Sequence, residues 1–261
     1  MMRSFYTAAT GMMAQQLNMD TITNNLANVN TTGYKKARVD FQDLLYATMR
    51  EPGFQSAMGQ EIPMGSQVGL GVRSSSTQKL YTVGSLSETR NKLDAAINGD
   101  GFFQVTVQDG TRAFTRDGSF KMDGQGRLVT QNGYQTGITI PDNVTNIFIK
   151  DDGSIMGTRI DQLEPSKIGQ LKLSRFLNPS GLKAIGGNMY QETPGSGVRS
   201  EGNPGQNGLG LLAPGFLEKS NVNVVEEMVS IVQAQRAYEI NQKGVQAADE
   251  MMRMTNQLHK G

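Results

Sequence analysis

The sequence predicts an α+β protein, mainly β, with one long helix at each end and a β-rich middle built of hairpins. Two observations carry this. Apolar residues recur every seventh position at both termini, and Asp-Gly or Asn-Gly pairs punctuate short apolar runs through the middle. The first pattern belongs to helices that share an apolar seam; the second belongs to hairpin turns. The expected division is a terminal helical domain from residues 1–33 and 221–261, an extended arm over 34–73, and a β-rich outer domain over 74–220. The two terminal helices are expected to pair as a coiled coil.

In the first segment Phe5, Met12, Met19 and Leu26 fall seven apart, and Ala8, Gln15, Ile22 and Val29 keep the same period three residues on. Ser4 is placed to cap the helix start. Gly33 is placed to stop it in a left-handed turn. Two readings stay open, a core helix of a globular domain and a helix that packs on assembly. Gln16, Thr21, Asn24, Asn25 and Asn28 on the other face favour assembly. Asn costs an exposed helix roughly 0.5 kcal/mol or more against Ala, a loss that amide bonds between packed helices would offset.

Tyr34-Lys35-Lys36-Ala37-Arg38 then leads into Phe41-Gln42-Asp43-Leu44-Leu45-Tyr46. The Gly- and Pro-containing stretch from Met49 to Gly71 reads as extended or looped. Phe54, Met58, Ile62, Met64 and Val68 make it too apolar for a simple linker. It is either a surface loop or an arm that lies against a neighbouring molecule.

The middle is β-like. Phe102–Val107, Leu128–Thr130, Ile147–Ile149 and Leu171–Leu173 are expected strands, with turns at Asp109-Gly110, Asp117-Gly118, Asp123-Gly124, Asn132-Gly133 and Asp152-Gly153. Residues 186–215 are rich in Gly, Asn and Pro, so turns and loops are expected there. The last helix opens at Asn223-Val224-Val225-Glu226, a capping-box pattern. Glu226 and Glu227 at its start, and Arg253 and Lys260 near its end, suit the helix dipole. Val224, Ile231, Tyr238, Val245 and Met252 fall seven apart, flanked by Met228, Ala234 and Ala248. Both terminal helices are expected to be marginal alone and to order on assembly.

Composition removes several function classes. The 261 residues carry 25 basic and 24 acidic side chains, a net charge of +1, which argues against nucleic-acid binding by bulk charge. There is no Cys and one His, His259, so thiolate chemistry, disulfides and triad chemistry are not expected. No run of about 18 apolar residues occurs. Met1 to Thr7 lacks the apolar stretch of a secretory signal, so no cleaved signal peptide is expected. Asp94, Asp100, Asp109, Asp117 and Asp123 invite an enzyme reading, but four of them precede Gly in turn contexts and the set lacks EF-hand spacing. Gly69-Leu70-Gly71 lacks the Lys and helix of a phosphate loop. No catalytic residue, metal, cofactor or small-molecule substrate is expected. A secreted β-rich surface binding module remains an alternative of a different class, though it leaves the heptads at both ends unexplained.

Three stretches carry a resemblance. Asn24-Asn25-Leu26-Ala27-Asn28-Val29-Asn30-Thr31-Thr32-Gly33-Tyr34-Lys35 resembles the N-terminal signature of the bacterial flagellar rod and hook family. Leu217 to Asn223, with Glu227-Met228-Val229 and Gln235-Arg236-Ala237-Tyr238-Glu239, resembles its C-terminal one. Asn91 to Phe103 and Phe114 to Phe120 resemble its central β motif. Leu44 to Arg73 is similar to the insert that marks distal-rod members against hook members; proximal rod and hook-type members of the same family are the alternative.

The resemblance implies a structural subunit of the basal-body distal rod, polymerising into a rigid helical tube that transmits torque and lets exported subunits pass. The terminal helices would form its inner coiled-coil layer. Implied partners are other copies of the chain, proximal rod subunits, hook protein, rod cap, the P- and L-ring bushing where an outer membrane is present, and the flagellar type III export apparatus. The implied location is the basal body within the cell envelope.

The expected assembly residues are Phe5, Met12, Met19, Asn24, Leu26, Asn28, Gly33 and Tyr34 at the N-terminal side, and Val224, Met228, Ile231, Gln235, Arg236, Tyr238, Val245 and Met252 at the C-terminal side. Arg236 is read either as a solvated charge or as a partner of Glu239, Glu227 or a neighbour's carboxylate. Phe41 and Leu45 fit an export element, with ordinary packing as the other reading.

Overall fold

The computed structural model describes residues 2–55, 61–62, 64–107, 109–159 and 164–258. The chain forms two compact units. One comprises Met1–Leu26, Ala37–Gln78 and Asn223–Gly261; the other comprises Ala27–Lys36 and Lys79–Val222. The architecture is α+β, mainly β, with one helix near each end. Met58, His259 and Lys260 lie outside the described residues.

In the first unit, α1 (Met2–Ala27) and α2 (Val224–Leu258) run antiparallel. Asn25 Nδ2 donates to Glu227 Oε2 at 3.2 Å. A Cβ added to Gly11 would meet the Asn241 amide at 2.9 Å, and one added to Gly244 would lie 3.8 Å from Ala8. Those contacts ascend α1 while descending α2. Gly11 costs its helix about 1 kcal/mol against Ala, and in exchange it admits the Asn241 side chain at close range.

The helix ends differ from expectation in two places. α1 starts at Met2, so Ser4 lies inside its first turn rather than capping it. It stops at Ala27, six residues before Gly33. The chain leaves the helix in the Asn28-to-Gly33 run through a turn: Thr31 N donates to the Asn28 carbonyl at 3.1 Å, and Thr31 Oγ1 bonds the Asn28 side-chain oxygen at 3.2 Å. At the start of α2 Asn223 caps the helix as expected, while Glu226 meets the Asn223 side chain rather than closing the box on its backbone N–H. Asn223 Oδ1 accepts the Val225 N–H at 3.1 Å, and its Nδ2 donates to Glu226 Oε1 at 3.3 Å.

The stretch read as extended or looped is strand-paired. Tyr46–Arg50 pairs antiparallel with Ser66–Gly69, and the Phe54–Gln55 backbone pairs with Glu61–Ile62. Ala37–Asp43 pairs with Val72–Lys79 below them. The period-two signal is missing because both faces of this hairpin are open: Tyr46, Met49, Met64 and Val68 are all exposed.

The second unit holds the larger core. Its main antiparallel sheet runs in the order Phe120–Met122, Arg127–Thr130, Gln135–Thr139, Phe102–Thr106, Arg112–Thr115, Met189–Gln191, Lys183–Gly186, with Leu173–Arg175 and Ser200–Gly202 branching from Phe102–Thr106. A three-stranded sheet of Val144–Ile149, Ser154–Arg159 and Pro165–Gln170 accompanies it. Adjacent residues on a strand face opposite sides, so Phe102 and Phe103 enter different clusters. Phe103 packs with Ile97, Phe120, Leu128, Ile155 and Leu173. Phe102 packs with Phe114, Phe176, Leu182 and Tyr190.

Gly110, Gly133 and Gly153 take the positive φ that hairpin turns require, whereas Gly118 and Gly124 do not. Asp117, Asp123 and Asp152 each accept a backbone N–H two residues on, as turn-capping carboxylates do. Leu171-Lys172-Leu173 is not one strand; the chain breaks pairing there, between Gln170 and Leu173. Turns and loops dominate 186–215 as expected, with three short strands set among them: Met189–Gln191, Ser200–Gly202 and Leu211–Pro214.

Candidate assembly surfaces

Two features stand out, a buried ionic clasp in the second unit and exposed apolar side chains on each helix in the first. The clasp begins with Gly33-Tyr34-Lys35-Lys36. Gly33 has φ +67°, and a Cβ there would meet the Arg116–Asp117 backbone at 2.7 Å. Its N–H donates to the Glu218 carbonyl at 2.8 Å. This close approach, rather than a helix stop, is what requires glycine.

Lys35 follows, buried, and donates from Nζ to Glu218 Oε1 at 2.6 Å and to the Thr82 carbonyl at 2.7 Å. Glu218 Oε1 also accepts the Gly84 N–H at 2.8 Å, and Oε2 faces Arg116 at 3.5 Å. Burial pushes the Lys35 ammonium below its ordinary range, while Glu218 pulls it back up. Arg116 stands over the Phe102 ring, 5.2 Å from its centroid. Asn221 ties the same two stretches together, accepting the Lys36 N–H at 2.7 Å and donating to the Leu80 carbonyl at 2.9 Å. Tyr34 is buried against Lys79, whose Nζ lies 5.1 Å from both the Tyr34 and Tyr190 ring centroids.

The expected residues are distributed as follows. Gly33 and Tyr34 belong to the clasp. Asn28 borders a polar cleft with Asn30, Thr31, Asp117, Gln131 and Asn188 in the same unit. On α1, Met12, Met19 and Leu26 are half-buried, whereas Phe5 and Asn24 are exposed. On α2, Val224, Ile231, Tyr238, Val245 and Met252 are half-buried beside buried Glu227, Ala234 and Ala248. Met228, Gln235 and Arg236 are exposed. Glu227, offered above as an Arg236 partner, is buried and accepts from Asn25 instead. Phe41 and Leu45 are both exposed.

Each helix has a second apolar face. On α2, Val225, Met228, Val229, Val232, Ile240, Met251 and Met254 are exposed, with Val225 at 69% and Ile240 at 68%. Counted at about 100° per residue, Val225, Val229, Val232, Ile240 and Met254 fall opposite the half-buried stripe, and Met228 and Met251 flank it. On α1, Tyr6, Met13 and Leu17 are exposed along one edge, with Met13 and Leu17 bordering a cleft shared with Ala14, Val72 and Arg73, while exposed Phe5 continues the stripe of half-buried Met12 and Met19. A helix that is apolar on two opposite sides has more to bury than one antiparallel partner can cover.

The clasp residues Lys35, Arg116 and Glu218 were not singled out from sequence. Each sits inside a family motif quoted above, but Lys35 and Arg116 are 183 and 102 residues from Glu218. No local pattern reports a meeting at that separation.

The chain matches known proteins along its length. Residues 5–35 match the family described as flagella basal body rod protein. Residues 96–157 match the flagellar hook protein FlgE/F/G D1 domain, and residues 213–258 match the flagellar basal body rod FlgEFG protein C-terminal family. The flagellar basal-body rod protein FlgG of Buchnera aphidicola subsp. Schizaphis graminum is 50% identical over 260 residues, covering 99% of this chain and 100% of that protein. FlgG of Borreliella burgdorferi is 47% identical over 265 residues, covering all of both chains. FlgG of Bacillus subtilis is 38% identical over 261 residues, covering 97% of each. The chain belongs to the family of flagellar basal-body rod proteins.

Proposed function

We propose that this structural subunit of the flagellar basal-body distal rod builds a helical tube through its two terminal helices. The observation that carries the proposal is the pair of opposed apolar faces on α2: one side meets α1, and the other presents Val225, Val229 and Val232 to solvent. Covering an apolar side chain of that size contributes about 1.5–3 kcal/mol, so several such positions repeated around a ring are ample to drive association. A face that meets a different face on the next copy is a heterologous contact, the kind that generates a helix rather than a closed dimer.

In this reading residues 1–33 and 221–261 form a coiled-coil inner layer. Residues 34–73 form an arm along neighbouring copies, and residues 74–220 form an outer β-rich layer. Phe5, Met12, Met19, Leu26, Val224, Ile231, Tyr238, Val245 and Met252 supply the helix seams, and Asn24, Asn28, Met228, Gln235 and Arg236 the contacts between copies. The tube transmits torque and passes exported subunits. Its neighbours are proximal rod subunits, hook protein and the rod cap, with ring bushings where an outer membrane is present. The flagellar type III export apparatus delivers the chain, and exposed Phe41 and Leu45 suit an element read by that machinery.

The test is Val229→Asp in the full-length chain. Val229 is exposed within the single chain, so its secondary structure and melting should be unchanged while self-association drops. Sedimentation velocity across a concentration series reads this directly. A variant that associates as strongly as the parent would overturn the proposal.

A further inference from the structure

We propose that a cavity in the β-rich unit, walled by Tyr81, Asp100, Phe102, Arg116, Arg175 and Phe176, accepts a carboxylate side chain from a second copy of this chain. The inference rests on the assembly reading and adds a specific contact to it.

The cavity holds about 110 Å³. At roughly 30 Å³ per water in the liquid, that is room for one carboxymethyl group. Its charge is unbalanced. Arg116 is 2% exposed, yet among the described residues its Nε has no hydrogen-bond partner, and Glu218, the carboxylate that its guanidinium bonds, stands at 3.5 Å, with Asp100 acting on it only through space. Glu218 is already committed to Lys35 at 2.6 Å. Two buried cations therefore share one buried anion. Arg175 at the mouth adds a second guanidinium, and Asp100, 3.5 Å from it, offsets only one charge. The excess matches a single monoanion. Phe102 packs edge-on against Tyr81 and Phe176, giving the cavity a floor poor in water. A buried cation in such surroundings gains more from an anion than an exposed one does.

The rim identifies a protein, rather than a free ion, as the source of the carboxylate. Leu177, beside the cavity, is 94% exposed, and Val198 on the facing turn is 88% exposed. The two turns are fixed to each other by Asn178, whose N–H and Nδ2 donate to the Ser196 and Gly195 carbonyls at 3.2 and 3.0 Å. A rigid apolar rim next to a desolvated cation is the composition of an interface centre. Asp109, Asp142 and Asp151 stand exposed on turns of this same unit, so each copy carries donors of the required chemistry.

The experiment places a benzophenone photo-cross-linker at Leu177, and in parallel at Val229, in the assembled full-length chain. The expected result is chain-to-chain adducts from both positions, with the Leu177 adduct mapping to a peptide that contains one of the exposed acidic turns. Two further variants act in opposite directions. Arg175→Gln should lower the Leu177 yield by about tenfold, and Asp100→Asn, which removes the competing carboxylate, should raise it. A general loss of folding would lower both. Adducts at Val229 without any at Leu177, or a Leu177 yield indifferent to both variants, would overturn the cavity reading and leave the tube reading standing. Silence at both positions would remove both.

Discussion

Glu218 is the anion on which two buried cations depend. Its side chain is fully buried, as is that of Lys35, and Arg116 is 2% exposed. Removing one member of a buried ion pair costs about 3–5 kcal/mol, because the charge left behind has neither water nor partner. Glu218→Gln should therefore lower the unfolding free energy of the β-rich unit by an amount in that range, measured by urea titration followed through tyrosine fluorescence. A loss below about 1 kcal/mol, the value of an exposed pair, would show that water reaches the clasp. Close by, burial pushes the Tyr81 and Tyr190 hydroxyls above the ordinary tyrosine value of 10.0. The folded chain then keeps protons that the unfolded chain gives up. Stability from this pair is complete below pH 10 and falls as the pH rises beyond it. In an alkaline titration at least Tyr81 and Tyr190 of the seven tyrosines should stay un-ionised until ellipticity is lost; smooth ionisation of all seven before unfolding would contradict the burial.

The arm and the helices differ from the β-rich unit in what they leave uncovered. Tyr46–Arg50 and Ser66–Gly69 form a hairpin with apolar side chains on open surface. An isolated hairpin is marginal in water, and this one contributes little to the core below it. Deleting residues 46–65 should leave the melting of the chain nearly unchanged and make the polymer more flexible, because an extended arm adds contact at fixed register. Persistence length from electron micrographs of parent and deleted polymers measures this; equal stiffness would remove the arm from the mechanism. α2 presents the same situation on a longer element. Its heptad stripe was readable from spacing alone, but the opposite stripe of Val225, Val229 and Val232 is recognisable only once Glu227, Ala234 and Ala248 are seen to be buried on the other side.

The two units are unequal in core. The β-rich unit buries large side chains almost completely, among them Phe102, Phe103, Phe114, Phe120, Ile97, Leu128, Ile155 and Leu173. The helical unit buries Ala14, Ile22, Val39, Ala234 and Ala248, a set dominated by small residues. Since stabilisation follows apolar area removed from water, the helical unit should open first. Limited proteolysis of the unassembled chain should shave both helices and leave a fragment from about Lys35 to Lys219, with hydrogen exchange slow only in the β-rich strands. Equal protection of α1, α2 and the sheet would mean that the helix pair is stable without neighbours.

Much of this molecule was legible in its residues. Periodicity marked both helices, Asn223 and Glu226 marked the start of the second, and Asp-Gly or Asn-Gly marked the turns at Gly110, Gly133 and Gly153, because these signals act within a few positions of the chain. The ordered motifs around Asn24–Lys35, Asn91–Phe103 and Leu217–Asn223 pointed to the family. What spacing could not supply is everything set by long-range approach: Gly33 against the Arg116 backbone, Lys35 and Arg116 on one carboxylate, and the shared cavity beside Phe102 and Phe176. Those depend on desolvation and on residues from about seventy to nearly two hundred positions apart arriving at one point, and only the folded backbone brings them there.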